Sequence, residues 1–319
     1  MEIGLGQKNK IMKILVTGGY GYLGANIVKF LSDKYEVITG SSNKNLKKIN
    51  SISYEWDNLP SLVKATREVD VIIHASGIGS SAAKNNPALT NKLEVNGTNN
   101  LIESSIKNKV KKIIYLSSAH VYKSPLNGHI TENVVPINTH PYAKAKLDAE
   151  AIFKKKCMSN GIELVILRLS NILGAPLFIN SNCWSLLPHD LSLQAIKTKI
   201  LKINNNPNIE RDFLSLDSFL LVIKEILDTK FKDDFIYNLG SGKSIKIYDI
   251  AKMIMNRAEI LFGNKYSLVL VSDERKIDEK LIYDVHKISK YEKIKTILTK
   301  DSLIKDIDKL LLFCHHEME

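Results

Sequence analysis

Lys13-Ile-Leu-Val-Thr-Gly-Gly-Tyr-Gly-Tyr-Leu-Gly24 decides the fold. The apolar run Lys13–Val16 reads as a strand, and Tyr22–Ser32 as a helix with Leu23, Ile27, Val28 and Leu31 at helical spacing. Glycines between a strand and a helix have separate uses. Gly18 permits the tight turn, Gly21 lets backbone approach a pyrophosphate, and Gly24 lets the helix pack on the strand. The helix N-terminus then faces the phosphates. The spacing is G-x-x-G-x-x-G rather than G-x-G-x-x-G, but its context implies a bound dinucleotide, with Gly18, Gly21, Tyr22 and Leu23 as candidate contacts.

Outward from this turn the alternation continues. Glu36–Thr39, Ile52–Glu55, Asp70–His74, Lys112–Ser117 and Glu163–Leu169 read as strands; Thr90–Asn108 and Tyr142–Ser159 read as long helices. Such alternation predicts an α/β fold built on a doubly wound parallel (Rossmann) sheet. Past Asn171 the pattern loosens, broken by Pro176, Pro188 and Pro207. The expected organisation is an extension over 1–11, a dinucleotide-binding domain over 12–170, and a smaller C-terminal α/β substrate-binding lobe over 171–319. The run 235–240 is placed to return to the main sheet.

The 319 residues are 44% hydrophobic and 25% charged, ordinary for a globular protein able to bury a core. No apolar run approaches the roughly 20 residues that span a membrane, and residues 1–11 have no signal-peptide core. Cys157, Cys183 and Cys314 have no metal-ligand spacing, so no metal is expected and a reducing cytoplasm is. The net charge of +11 comes from scattered lysines without an aromatic-interleaved stripe. That argues against nucleic acid and suits an anionic small substrate.

The chemistry is concentrated in Tyr142-Ala-Lys-Ala-Lys146 at a helix start. Residues four apart share a helical face, so Lys146 sits beside the Tyr142 phenol and favours its ionised, basic form. Ser117 and Ser118 end the preceding parallel strand, at the edge where ligands of this architecture bind. The acid usual about twenty residues beyond the glycine turn is missing. Ser41, Ser42 and Lys44 stand there instead, able to hold a 2′-phosphate or a bare ribose.

These motifs resemble the extended short-chain dehydrogenase/reductases, specifically the nucleotide-sugar epimerases and dehydratases. Thr17–Gly24 is similar to their cofactor motif, Asp57 stands where they contact adenine, and Asp70–Ser76 resembles the strand whose end (Ala75, Ser76) lines the dinucleotide. Val95–Thr98, Ser117–Tyr122 and Pro141–Lys146 resemble the central helix, serine strand and catalytic helix. Arg168–Gly174, Arg211–Asp217 and Asn238–Gly242 are further likenesses; Arg275 near Asp278 is a looser one, without the usual Pro-Gly. The resemblance implies a nucleotide-diphosphate sugar as substrate and NAD as cofactor, while the missing acid leaves NADP open. It implies that Ser118 binds the reacting hydroxyl, Tyr142 takes its proton and Lys146 binds the nicotinamide ribose. It also implies that Asn171 touches the diphosphate and that Arg211 and Arg275 clamp it.

The family's 4,6-dehydratases carry an Asp-Glu pair after the catalytic hydroxyl, where this chain has Ala119 and His120. Alanine cannot exchange a proton, and His120 is read first as a polar group lining the substrate site. The expected reaction is NAD-dependent oxidation or reduction at sugar C4, in making bacterial surface-polysaccharide sugars. The alternative is 4-epimerisation; dehydration and a redox-inactive regulator rank lower. A homodimer or higher oligomer, paired through the two long helices, is expected by the same resemblance; Leu93, Ile102 and Ile106 could serve that contact or face the sheet.

Overall fold

Ile14, Leu15 and Val16 are wholly inaccessible to solvent, as befits a strand of a parallel sheet covered on both faces. They belong to β1 (Lys13–Thr17) in a computed structural model that describes residues 11–42, 50–231, 234–271 and 280–317. The chain continues through α1 (Tyr22–Leu31), β2 (Glu36–Ser41), β3 (Ser51–Ser53), α2 (Leu59–Ala65), β4 (Val71–His74), α3 (Ser80–Asn85) and α4 (Pro87–Lys107). Next come β5 (Lys112–Ser118), β6 (Gly128–Ile130), α5 (Pro141–Asn160), β7 (Glu163–Leu169) and β8 (Asn171–Leu173). The remainder runs α6 (Leu187–Thr198), β9 (Ile200–Ile203), β10 (Glu210–Ser215), α7 (Leu216–Asp228), β11 (Ile236–Leu239), β12 (Ser244–Lys246), α8 (Ile247–Phe262), β13 (Ser267–Leu270), β14 (Leu281–Tyr283), α9 (Glu292–Thr299) and α10 (Ile304–His316).

Seven strands form one sheet in the order β3-β2-β1-β4-β5-β7-β11, every neighbouring pair parallel. The order reverses between β1 and β4, which opens a crevice at their C-terminal ends. Side chains alternate between the two faces. Ile14, Val16, Ile73, Ile114 and Leu167 pack with residues of α1 and α7, while Leu15, Ile72, Ile113 and Ile166 pack with Leu62, Leu101, Ile102 and Phe153 of α2, α4 and α5. The period of two puts β1, β2, β4, β5, β7 and β11 in both cores. The run 235–240 holds β11, paired to β7 with Asn238 opposite Arg168. A third core joins α6, α8 and α10 over β9 and β10, and β10 sits between β8 and β12 in a separate sheet.

Helix starts follow their caps. Asn86 accepts the Leu89 N–H at 3.1 Å ahead of α4, and Pro87 and Pro141 occupy first-turn positions where no N–H is needed. Gly161, with φ of +67°, ends α5. Ile102 is buried and Ile106 packs against the sheet-side core, while Leu93 lines a cavity described below. None of the three supplies an apolar outer seam. Among the described residues no helix is long and apolar enough to cross a membrane.

Candidate active site

The glycine turn closes backbone on backbone. Gly18 has φ of +66°, and a Cβ there would lie 2.9 Å from Ser76 Cα, beyond the end of β4. A Cβ on Gly24 would lie 2.2 Å from the Gly18 carbonyl oxygen. The Gly21 N–H donates to that same oxygen at 2.8 Å. Among the described residues no side chain caps the first turn of α1, so its amides are available to an anion. An open cradle that side chains would fill, at the start of an uncapped helix, fits the pyrophosphate of a dinucleotide.

Two cavities of about 320 and 530 Å³ meet over this turn, sharing Gly21 and 75–78 on their walls. Of the residues expected at the cofactor, Gly18, Gly21, Ser42, Ala75 and Ser76 line the smaller, and Tyr22, Leu23 and Ser41 line the larger. Asp57 is exposed and lines neither; its neighbour Trp56 walls the smaller one. Ser118, His120, Tyr142, Lys146 and Asn171 line the larger cavity. The Asn171 amide donates to the Asp212 carbonyl at 2.8 Å. Arg211 lies half-buried on β10 outside both cavity walls. Lys44, Arg275 and Asp278 lie outside the described residues.

A run of hydrogen bonds joins the serine strand to the tyrosine helix. Ser118 Oγ accepts the His120 N–H at 3.2 Å, and the His120 carbonyl accepts from the Asn138 amide at 2.6 Å. Asn138 Oδ1 accepts the His140 N–H at 3.0 Å, and His140 Nδ1 accepts the Tyr142 N–H at 3.2 Å. Tyr142 thereby opens α5 beside the end of β5. One turn on, Lys146 is 5% exposed. Its Nζ lies 5.0 Å from the Tyr115 ring centroid and 6.0 Å from that of Tyr142.

Buried charges surround this set. Burial works against the Lys146 ammonium, but Glu94 and the Tyr115 and Tyr142 hydroxyls outweigh it and raise its pKa. His74 is buried and pushed down to about 3, by burial first and by Lys146 second. It is neutral, with Nδ1 2.7 Å from Thr17 Oγ1. Desolvation beside the cleft lowers the His120 pKa, helped by the charges of Arg211 and His140. Beneath Ser118, Glu150 accepts from the Ser117 hydroxyl and, in two bonds of 3.1 and 2.7 Å, from Arg168. The Asn238–Gly242 motif turns inward. Asn238 Oδ1 accepts from Tyr122 and Tyr283, and Asp212 gathers the N–H and hydroxyl of Ser241 and the N–H of Lys243. Among the described residues no group of three or more His, Cys, Asp or Glu is placed to hold a metal.

Several wall residues were absent from the sequence expectations. Trp56 and Glu94 help close the smaller cavity, and Asn180, Ser181, Asn182 and Leu186 close one side of the larger. No local pattern marks them; Glu94 alone carried a signal, a carboxylate directly before the Val95–Thr98 motif.

A Rossmann sheet with a glycine cradle at its crevice and Ser, Tyr and Lys on the adjoining wall defines a nucleotide-cofactor enzyme of the extended short-chain dehydrogenase/reductase type. Residues 14–240 match the profile of the NAD dependent epimerase/dehydratase family, and the chain belongs to that family, with NAD as its cofactor. It is 34% identical over 263 residues to a putative UDP-glucose 4-epimerase of Methanocaldococcus jannaschii, covering 76% of this chain and 81% of that one. It is 27% identical over 247 residues to a GDP-6-deoxy-D-talose 4-dehydrogenase of Aggregatibacter actinomycetemcomitans, covering 76% and 79%. The fold superposes on UDP-glucose 4-epimerase of Thermotoga maritima with a TM-score of 0.78, over 97% of this chain and 100% of that one, at 21% identity.

Two glycine substitutions separate the cradle from ordinary backbone strain. Gly24→Ala forces α1 off the Gly18 carbonyl and should cost about 1–3 kcal/mol together with at least a tenfold loss of NAD affinity, taken here as about 1.4 kcal/mol of binding. Gly161→Ala, with open space around it, should cost about 1–2 kcal/mol of left-handed strain and leave NAD affinity unchanged. Urea unfolding and calorimetric titration with NAD check both.

Proposed function

We propose that the protein oxidises or reduces a nucleotide-diphosphate sugar at C4, as a net 4-oxidoreductase. The observation that carries this is the single cleft lined by Ser118, Tyr142 and Lys146 and continuous with the glycine cradle. Bound NAD supplies the two-electron acceptor. Ser118 Oγ binds the C4 hydroxyl, and the Tyr142 hydroxyl oxygen, once ionised, takes that hydroxyl's proton. Lys146 holds the ribose next to the nicotinamide and supports the charge on Tyr142. Asn171 and Arg211 are assigned to the diphosphate, Arg211 by closing on it from β10.

Elimination across C5 and C6 needs a matched acid and base beside the sugar. Ala119 is buried without an ionisable group, and His120 is held towards its neutral form. This favours chemistry confined to C4. A second reading, 4-epimerisation, is favoured by the relatives of that name, including one in Mycoplasma genitalium at 30% identity. The 4-dehydrogenase likeness supports the first. The product suits the glycosyltransferases that build bacterial surface polysaccharides, and buried free Cys157, Cys183 and Cys314 support a reducing cytoplasmic setting. We also propose a homodimer paired through α4 and α5. The exposed residues there include Lys92, Glu103, Lys107, Lys144 and Lys155, mostly of one sign, so the contact would be polar and favoured by salt, which screens the like charges.

Incubation with UDP-, GDP- and dTDP-sugars separates the readings. Net reduced nicotinamide absorbance marks an oxidoreductase, and a C4-inverted product without net redox marks an epimerase. A 6-deoxy-4-keto product formed from a 6-hydroxy sugar without net reduced nicotinamide would overturn both. Tyr142→Phe should lower kcat by about 10²–10⁴-fold with NAD affinity retained; undiminished turnover sinks the assignment of Tyr142. Sedimentation at low and high salt checks the dimer, which should strengthen as salt rises; a monomer at both rejects it.

A further inference from the structure

Glu94 places a carboxylate in the wall behind the reacting groups. Its side chain is 6% exposed, as is that of Lys146, and its Oε2 lies 3.9 Å from Lys146 Nζ. Its Oε1 accepts the Ile78 N–H at 2.8 Å. A buried charge is costly unless paired and hydrogen-bonded, and both conditions are met on this side of the pair. Gly77 leaves the room it needs: a Cβ there would come 2.6 Å from Lys146 Nζ and 3.2 Å from Glu94 Oε1.

The groups facing the ammonium come from four elements. Glu94 reaches it from α4, Tyr115 from β5 and Tyr142 from α5, and its charge helps keep His74 neutral at the end of β4. Glu94 is the carboxylate in this set. Seen from the Tyr142 ring, an ammonium with a carboxylate at 3.9 Å is closer to a dipole than to a full charge, so its support for a phenolate is reduced.

We propose that Glu94 is a positioning residue for the reaction: it fixes Lys146 in the wall of the cleft and, by offsetting the ammonium's charge, sets the lower pH limit at which the site takes up the sugar's proton. This rests on the Tyr142–Lys146 reading given above. Removing the carboxylate's charge leaves the ammonium's field unopposed, which stabilises the ionised phenol. The acidic limb of activity therefore moves to lower pH in the variant, not higher.

The test is an alkaline ultraviolet titration of the NAD-loaded protein, each variant being measured with and without Tyr142→Phe so that the difference isolates the Tyr142 phenolate. Glu94→Gln keeps the acceptor for the Ile78 N–H, and should bring the midpoint down by about one pH unit. Glu94→Asp, which keeps the charge, should return it to within a few tenths of wild type. If Glu94→Gln does not yield folded protein by circular dichroism, Glu94→Asn carries the same expectation. An unmoved or raised midpoint, or Glu94→Asp shifting as far as Glu94→Gln, overturns the proposal. The titration needs no sugar, so it is decided even if no nucleotide sugar is turned over. Turnover accompanied by an unmoved midpoint would remove the role of Glu94 alone.

Discussion

The close approach of α1 to the Gly18 carbonyl is the constraint on which the rest of the structure depends. It exists because Gly24 has no Cβ. It brings an uncapped helix start to the place where β1 and β4 part, and thereby fixes where an anion can be held. The same turn touches Ser76 backbone through Gly18, so the exit of β4 is set by the same contact. The segment 75–78 then serves as shared wall of both cavities. Thr17 against His74 and Tyr54 against Ser76 bridge β1, β4 and the strand edge with side-chain bonds. Loosening this contact would shift the floor of the whole cleft, not one residue of it.

The buried ion pairs extend that logic to the other end of the site. Glu150 on α5 binds Ser117 on β5 and Arg168 on β7, and so locks the helix to two strands at one point along its length. Eight residues back from Glu150, about 12 Å along the helix axis, is Tyr142. A slip of α5 would break two charge-assisted bonds inside a dry layer, where leaving one partner unpaired costs about 3–5 kcal/mol. Such pairs do more for register than for net stability. Here register is what keeps Tyr142 opposite the end of β5, and the Asn138–His140 bridge repeats the same tie at the surface.

How much of this was legible in sequence follows from range. Strands covered on both faces are continuous apolar runs, so β1, β4, β5 and β7 stood out within a residue or so of their ends, and the long helices were marked by their spacing. The Tyr142–Lys146 relation is carried by one helix and was readable for that reason. The walls were not. Trp56, Glu94 and Asn180–Asn182 reach the cleft from segments far apart in the chain, and only the folded sheet brings them together. The short elements α2, α3 and β8 have too few residues for a period to show. The leucine and isoleucines of α4 could have faced a partner or the sheet; Ile102 and Ile106 turned towards the sheet because Phe153 and Leu62 complete a core there.

The second half joins polar ties to its apolar core, and such ties leave no hydrophobic period, which is why its pattern looked loose. Asn238, wholly buried in β11, accepts two tyrosine hydroxyls and donates to the carbonyls of Ile130 and Asp284. Asp212 holds the Ser241–Lys243 turn against β10. These residues look like ligand contacts when read as motifs, yet their hydrogen-bonding capacity is spent inside the protein. Beside this scaffold β10 pairs with β8, Phe213 opposite Asn171, with Asn171 on the wall of the larger cavity and Arg211 outside it. Rigid polar ties thus frame the second half, while a pair of buried charges, Glu94 and Lys146, stands in the wall of the cleft.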